Sequence, residues 1–333
     1  MTFRRVLSAM LLAIFFGCGD SQVPAPRPDV TLANLNLVHG IFCAPETEAC
    51  RLGDRVDLMM EFIFASGCPD VVTLQEIWPP SLDLIQERAA SVCPFPYELV
   101  LGESRTGVDD ELVLSRYPAS GIGQFPLFGD FRRILWTRID HPAGPVDIFS
   151  THLASGADGG PNPCGEACPL ACVEAGAETV RDCQAVQLVA YVEATRDLSR
   201  PALVAGDMNA RPDSFAYRSF MEAGWLDTYL AAGNPECDPE SGIGCTSGRK
   251  SETLEDLESP DLGLRSRIDY IFLAPGFSEA GCAPLLLPAS GIGPGTQLWA
   301  DRPNPFAPAC GAAPEPICWA SDHTGVQVAF VCR

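Results

Sequence analysis

Apolar residues along the chain gather into short runs of strand length: VTLANLNL at 30–37, DVVTLQ at 70–75, ELVLS at 111–115, RILWTRI at 133–139, VDIFSTHL at 146–153, ALVAGD at 202–207, RIDYIFL at 267–273 and TGVQVAFV at 324–331. Several are too apolar to have one wet face, which predicts strands buried between layers. Helical spacing appears between them, with Val56, Met59, Met60 and Ile63 recurring over 54–64 and Ala185, Leu188, Val189 and Val192 over 178–197. The methionine pair reads as core filling. The alternation predicts one layered α/β domain over 30–333. Two stretches without a period, 155–177 (rich in Gly, Pro and Cys) and 233–262 (acidic, with Gly and Pro), read as long insertions.

The segment before the domain has a different pattern. Arg4 and Arg5, the mostly apolar VLSAMLLAIFF and then Gly17-Cys18 form a targeting segment too short to span a bilayer as a helix, followed by a Pro-rich linker over 19–29. It looks like a bacterial lipoprotein signal in which Cys18 becomes the lipidated terminus, so the expectation is export and a membrane attachment through that lipid. Phe15 and Phe16 depart from the usual residues there and keep plain secretion as the alternative.

Cysteine usage agrees with export. Of 15 cysteines, 14 remain when Cys18 is set aside, in local groups: Cys43/Cys50, Cys68/Cys93, Cys164/Cys168/Cys172/Cys183, Cys237/Cys245 and Cys282/Cys310/Cys318/Cys332. This spacing suits local disulfides in an oxidising compartment. Cys164, Cys168 and Cys172 also repeat every four residues, but the spacing is unlike that of zinc or iron–sulfur sites. Charge narrows the partners further. The chain carries −21, and without Arg4 and Arg5 it has 20 basic residues against 43 acidic ones, a balance of −23. Such a surface repels long polyanions unless a local basic cleft intervenes. No protein partner is inferred.

The strands end in polar residues. Asn36 lies in LANLNL, Glu76 follows VVTLQ, His152 is in FSTHL, Asp207 and Asn209 close LVAGDMN, Asp269 is in SRIDYIF, and Asp322-His323 opens the last strand. Each alone reads as a cap, a turn or a satisfied core polar group, and VAGDMNARPDS alone reads equally as a turn. Residues i and i+2 of a strand share a side, so Asp207 and Asn209 can face one target if the chain stays extended through Met208. Open sheets bind ligands at strand ends. Oxygen ligands without cysteine suit Mg²⁺ or Mn²⁺ together with a substrate phosphate, and two histidines supply groups that protonate or stabilise an oxyanion near neutral pH.

With these residues in place, the chain resembles the endonuclease/exonuclease/phosphatase superfamily. The motifs N-x-N, LQE, S-R-Y-P, T-H-L, G-D-x-N, I-D-Y-I-F and S-D-H occur in the family's order from Asn34 to His323. The resemblance implies a DNase I-like four-layer α/β/β/α sandwich of two mixed sheets with the active site at one edge. It implies Mg²⁺ or Mn²⁺ on Glu76, with Asn36 and Asp322 beside it. Asp207 and Asn209 would position the attacking water and the phosphate, His323 would be the catalytic histidine oriented by Asp269, and His152 would touch the phosphate or leaving group. The chain departs from relatives at Asp109-Asp110-Glu111, where one carboxylate orients His152 or the three form a solvated acidic loop. His39 and His141 carry no motif and read as surface or loop residues.

The implied activity is phosphoester hydrolysis through an activated water. A phospholipid head group, in a sphingomyelinase-like diesterase, is favoured as substrate, because a zwitterionic head group is not repelled by an acidic surface and Lys250 is the only lysine. The alternatives are a nuclease using Arg105, Arg132, Arg133 and Arg211, a phosphomonoesterase, and a binding module, which should have lost one of the polar residues.

Overall fold

The computed structural model describes residues 30–38, 50–102, 110–129, 132–157, 160–249, 257, 259, 263–276, 283–284, 296–307, 310 and 316–331. The targeting segment, the linker, His39 and Arg105 lie outside them, as do Cys18, Cys43, Cys282 and Cys332. In chain order the elements are β1 (Val30–Asn36), α1 (Leu52–Ala65), β2 (Val71–Ile77), α2 (Pro79–Ala89), β3 (Glu98–Gly102), β4 (Asp110–Ser115), β5 (Ala119–Pro126), β6 (Arg133–Ile139), β7 (Val146–His152), β8 (Gly156–Ala157), β9 (Gly160–Pro161), α3 (Leu170–Glu174), α4 (Val180–Thr195), β10 (Ala202–Asp207), α5 (Phe215–Glu222), β11 (Leu226–Asp227), α6 (Thr228–Ala231), β12 (Asp269–Leu273), β13 (Ala283–Pro284), β14 (Gln297–Trp299) and β15 (Gly325–Val331).

Each large sheet is built around one parallel pair. The first runs β13-β15-β1-β2-β4-β3, with β14 also on β15; β1 and β2 are parallel, and β15 and β4 run against them. The second runs β11-β12-β10-β7-β6-β5; β10 and β7 are parallel, and β12 and β6 run against them. The C-terminal ends of each parallel pair therefore share an edge with the start of an antiparallel neighbour, β15 in one sheet and β12 in the other.

Alternation along the strands sorts side chains into layers. Leu32, Val71, Val113, Ile148, Leu203, Ile271 and Val328 pack between the sheets. On one outer side Ala33, Leu35, Val72 and Leu74 meet Val56, Met59 and Ile63 of α1; on the other, Phe149, Val204 and Phe272 meet Leu188 and Val192 of α4 and Phe220 of α5. The result is the α/β/β/α sandwich of two mixed sheets that the family resemblance implies.

Toward the shared edge the inter-sheet face turns polar. Thr73 Oγ1 and Gln75 Nε2 donate to Asn34 Oδ1 at 2.8 and 2.9 Å, Gln75 Nε2 also reaches Ser150 Oγ at 3.2 Å, and the Ser150 hydroxyl donates to Glu111 Oε2 at 3.0 Å. This buried chain of hydrogen bonds ties β1, β2 and β4 to β7 across the two sheets.

The apolar pattern located the centre of both sheets, α1 and α4, with ends displaced by one or two residues. It missed α2, which opens on Pro79 and Pro80, residues that suit a first helical turn. It also missed β5, an edge strand that alternates half-buried and exposed positions through two glycines, and the short α5, which Ser214 caps by accepting from the Tyr217 N–H at 3.2 Å.

Cysteines within the expected groups pair as Cys68–Cys93, Cys164–Cys168, Cys172–Cys183, Cys237–Cys245 and Cys310–Cys318. The run from Cys164 to Cys172 thus folds as disulfides that hold the insertion between β7 and α4.

Gly206 sits at the tightest point between two strands. A Cβ there would lie 1.8 Å from the Thr151 carbonyl oxygen in β7. Gly206→Ala is expected to push β10 off β7 and cost about 3 kcal/mol, read as a lower midpoint of chemical denaturation; an unchanged midpoint would contradict that packing.

Candidate active site

Strand register brings the expected residues together. His152, Asp207 and Asp269 occupy one rung across β7, β10 and β12, because Asp207 pairs with His152 on one side and with Asp269 on the other. Paired residues on adjacent strands project to the same face. Asn36 faces them from the other sheet, where its Nδ2 donates to Asp207 Oδ2 at 2.9 Å and to Glu76 Oε1 at 3.0 Å.

Strict alternation would send Glu76 away from this face, because its neighbour Gln75 already pairs with Asn36. Two local features re-aim it: the β2–β4 register shifts between Leu74 and Ile77, and Glu76 adopts a left-handed φ of 62°. A non-glycine residue in that region costs roughly 1–3 kcal/mol, so the surrounding structure stabilises a strained carboxylate at the site.

Asn209 reaches the cluster by a turn and not by extension. β10 stops at Asp207, Asn209 has φ 47°, and its N–H donates to Asp207 Oδ1 at 2.7 Å. The chain continues past β10 through Met208, whose N–H donates to the Ile268 carbonyl at 2.8 Å and whose side chain enters the core with α5 on the face that alternation assigns it, and the turn comes at Asn209 itself. Turn and site are one structure here. Asn209 Nδ2 donates to Leu153 O and lies 2.9 Å from His152 Nε2, which is 3.3 Å from Asp207 Oδ2 and 3.9 Å from Glu76 Oε1.

His323 enters from the other sheet. Asp269 can only accept as a carboxylate, so His323 Nδ1–H donates to Asp269 Oδ2 at 2.9 Å, while Nε2 faces Asp207 Oδ2 at 3.9 Å. Ser321 fixes the approach, its hydroxyl donating to the Asn36 carbonyl at 2.6 Å and accepting from the His323 N–H at 3.0 Å. Asp322 beside it is half-buried, with its Oδ1 3.2 Å from Ser321 Oγ.

The electrostatics follow from burial and these contacts. Burial pushes the Glu76 carboxyl up to about 7 even though His152 and His323 pull the other way. Burial also opposes ionisation of Asp207, but the two histidines and the Asn209 N–H outweigh it and hold the carboxyl below the ordinary range. Burial disfavours charge on His323 as well; Asp269 and Asp207 overcome it and raise the imidazole well above its usual value. Burial of Glu111 raises its carboxyl to about 8.

Several residues take parts that the sequence left open or did not show. Asp110 and Glu111 are 7% and 1% exposed, which rules out a solvated acidic loop for these two; Asp109 lies outside the described residues. Arg132, considered only as a nucleic-acid contact, donates through Nη1 to His152 Nδ1 at 2.6 Å. Arg133 turns aside to Gln124 Oε1 at 2.6 Å. His141 lies in a loop, yet its side chain is 7% exposed and 3.7 Å from Asp70 Oδ2. The inner face of α4 braces the site loops: Arg181 donates to the Asn209 carbonyl, Gln184 bridges the Ala154 N–H and the Phe128 carbonyl at 2.7 Å each, and Gln187 accepts from the Phe128 N–H at 2.7 Å.

A divalent cation fits the cluster. Asn36 Oδ1 is buried without a hydrogen-bond partner, directly beside the Glu76 carboxyl whose ionisation burial opposes. A hard cation would satisfy both. Asp207, Asp269 and His323 form a second candidate group, with ligand atoms within 4.8 Å of one another.

A sandwich with this cluster at its strand-end edge defines a class of hydrolases acting on phosphoesters. The family model for the Endonuclease/Exonuclease/phosphatase family matches residues 34–323, and the chain belongs to that family. Over 237 residues it is 28% identical to a Drosophila melanogaster protein named "Putative neutral sphingomyelinase"; the match covers 67% of this chain and 48% of that protein, so the chain spans about half the length of that relative. Among solved structures, D. rerio TDP2 complexed with a single-strand DNA product superposes with a TM-score of 0.59 at 18% identity, covering 91% of this chain and 98% of that one. A Bacteroides thetaiotaomicron mannosyl-6-phosphatase gives 0.59 at 17% identity, covering 91% and 99%. At these identities the two structures share the fold.

Proposed function

We propose that the chain is an exported, divalent-metal-dependent phosphodiesterase of the sphingomyelinase type. The observation that carries the hydrolytic reading is the convergence of Asn36, Glu76, His152, Asp207, Asn209, Asp269, Asp322 and His323, drawn from both sheets, on one edge. Likeness to the Drosophila protein and an acidic surface with a single lysine support a zwitterionic lipid head group as substrate. The disulfides support export; a lipid on Cys18 belongs to the same proposal, and among the described residues no helix is long and apolar enough to cross a membrane.

In this reading Glu76, with Asn36 and Asp322, would hold Mg²⁺ or Mn²⁺, and the cation would supply positive charge against the phosphate. Asp207, kept ionised, and Asn209 orient a water for in-line attack on phosphorus. His323, kept protonated by Asp269, directs Nε2–H toward the charge that grows on the phosphoryl oxygens, and His152 and Arg132 face it from the β7 side. The P–O bond to the leaving group breaks without a covalent enzyme intermediate.

One observation favours a nuclease as second reading. Arg132, Arg181 and Arg211 form a local basic group near Asp207, with Arg211 exposed. Sphingomyelin vesicles, phosphatidylcholine vesicles, plasmid DNA, RNA and inositol phosphates, each with Mg²⁺ and a Glu76→Ala control, separate the readings. Release of phosphocholine from sphingomyelin is the expected result; plasmid nicking without phosphocholine release would replace it with the nuclease.

A further inference from the structure

The pair that orients His323 spans the two sheets: Asp269 opens β12 in one, and His323 leads into β15 in the other. Its geometry therefore depends on something that holds both strand starts together. The segment 245–249, stapled by Cys237–Cys245, touches both. Thr246 Oγ1 accepts from the Ile268 and Asp269 N–H groups at 3.0 and 3.1 Å, and the Thr246 carbonyl accepts from the Thr324 N–H at 2.6 Å.

Arg249 completes the clamp. It is 5% exposed. Its Nη1 donates to the His323 carbonyl at 2.9 Å and to the Ser321 carbonyl at 3.4 Å, and its Nη2 donates to Thr324 Oγ1 at 3.1 Å. Trp319 lies beneath it, with the ring centroid 3.5 Å from the guanidinium carbon. Among the described residues no carboxylate is hydrogen-bonded to this guanidinium. A buried cation is costly unless its donors are used; here Nη1 and Nη2 go to the residues on either side of Asp322 and to Thr324, while Nε has no hydrogen-bond partner among the described residues. The rigid planar fork of arginine fixes such a loop in a way that a lysine ammonium does not.

We propose that Arg249 is a positioning residue that sets the Asp269–His323 hydrogen bond by clamping the Ser321–Thr324 loop; this rests on the phosphoesterase reading for its effect on turnover. Arg249→Met and Arg249→Lys are compared with wild type and with Phe220→Leu, a core substitution on α5 that controls for lost stability. Two readouts are used: hydrolysis of bis(4-nitrophenyl) phosphate with Mn²⁺, and the low-field proton resonance of the His323 Nδ1–H, which needs no substrate. Arg249→Met should lower kcat about 10²-fold and lose the low-field resonance. Its KM should stay within about twofold, as for an interaction that acts in the transition state. Arg249→Lys should fall between it and wild type, and Phe220→Leu should keep the resonance. The inference is overturned if Arg249→Met keeps both kcat and the resonance, or if Phe220→Leu loses the resonance equally. If Arg249→Met does not fold, an unchanged resonance in Arg249→Lys overturns it and a shifted one supports it. A wild type inactive on every phosphoester, with the resonance lost only in the Arg249 variants, would refute the functional reading and leave the clamp standing.

Discussion

His323→Ala should lower turnover by about 10²–10⁴-fold, the range for a positioned acid–base group, while circular dichroism stays that of the folded protein. The imidazole does two things at once. Its Nε2 faces the reacting centre, and its positive charge helps hold the Asp207 carboxyl below its ordinary range. Removing it takes away the donor and lets burial raise Asp207 toward protonation, so residual activity should need a higher pH than wild type. Asp269→Asn is the milder change, since the amide keeps contact with Nδ1 but drops the charge that raises His323. The sign is then fixed: the imidazolium of Asp269→Asn is lost at lower pH than in wild type, and the alkaline limb of its kcat profile moves down. An alkaline limb that stays in place in Asp269→Asn would show that Asp269 does not govern His323.

How much of this was legible in the sequence differs by layer. Strand periodicity carried the two sheet centres, because parallel pairs buried on both faces leave long apolar runs. The order of the motifs carried the family, and each polar strand end pointed to the residues that the register then brought side by side. Alternation failed at two of those residues for one reason. Glu76 and Asn209 both sit at left-handed φ, where spacing no longer tells which way a side chain points, and only the bulge after Leu74 and the turn after Asp207 bring them in. The contacts of Arg132, Gln184 and Arg249 were invisible for a different reason. These residues come from loops, or from a helix read only for its apolar stripe, and they act on neighbours 20 to 75 positions away, distances over which a sequence gives no pairing signal.

Removing divalent cations should abolish hydrolysis, and restoring Mg²⁺ should raise the midpoint of thermal unfolding in wild type but not in Glu76→Ala. Stabilisation follows from binding to the folded state alone, about 2.7 kcal/mol at a hundred times the dissociation constant. The site supplies the reason for specificity to Glu76: its carboxyl and the unpartnered Asn36 Oδ1 lie together in the cluster, and without a cation burial pushes the carboxyl up to about 7 from an ordinary 4.5. The folded-state value is the higher one. In the cation-free protein this group's stabilising contribution is therefore complete below 4.5 and lost as pH rises through about 7, and Glu76→Gln should remove that slope. Cation binding needs the ionised form and runs the other way, strengthening as the proton leaves. The Mg²⁺-induced shift should thus be larger at about pH 8 than at about pH 6. An equal shift in Glu76→Ala would move the cation to the other candidate group, Asp207, Asp269 and His323, and His323 would then be a ligand and no longer the proton-bearing group that the hydrolytic reading requires.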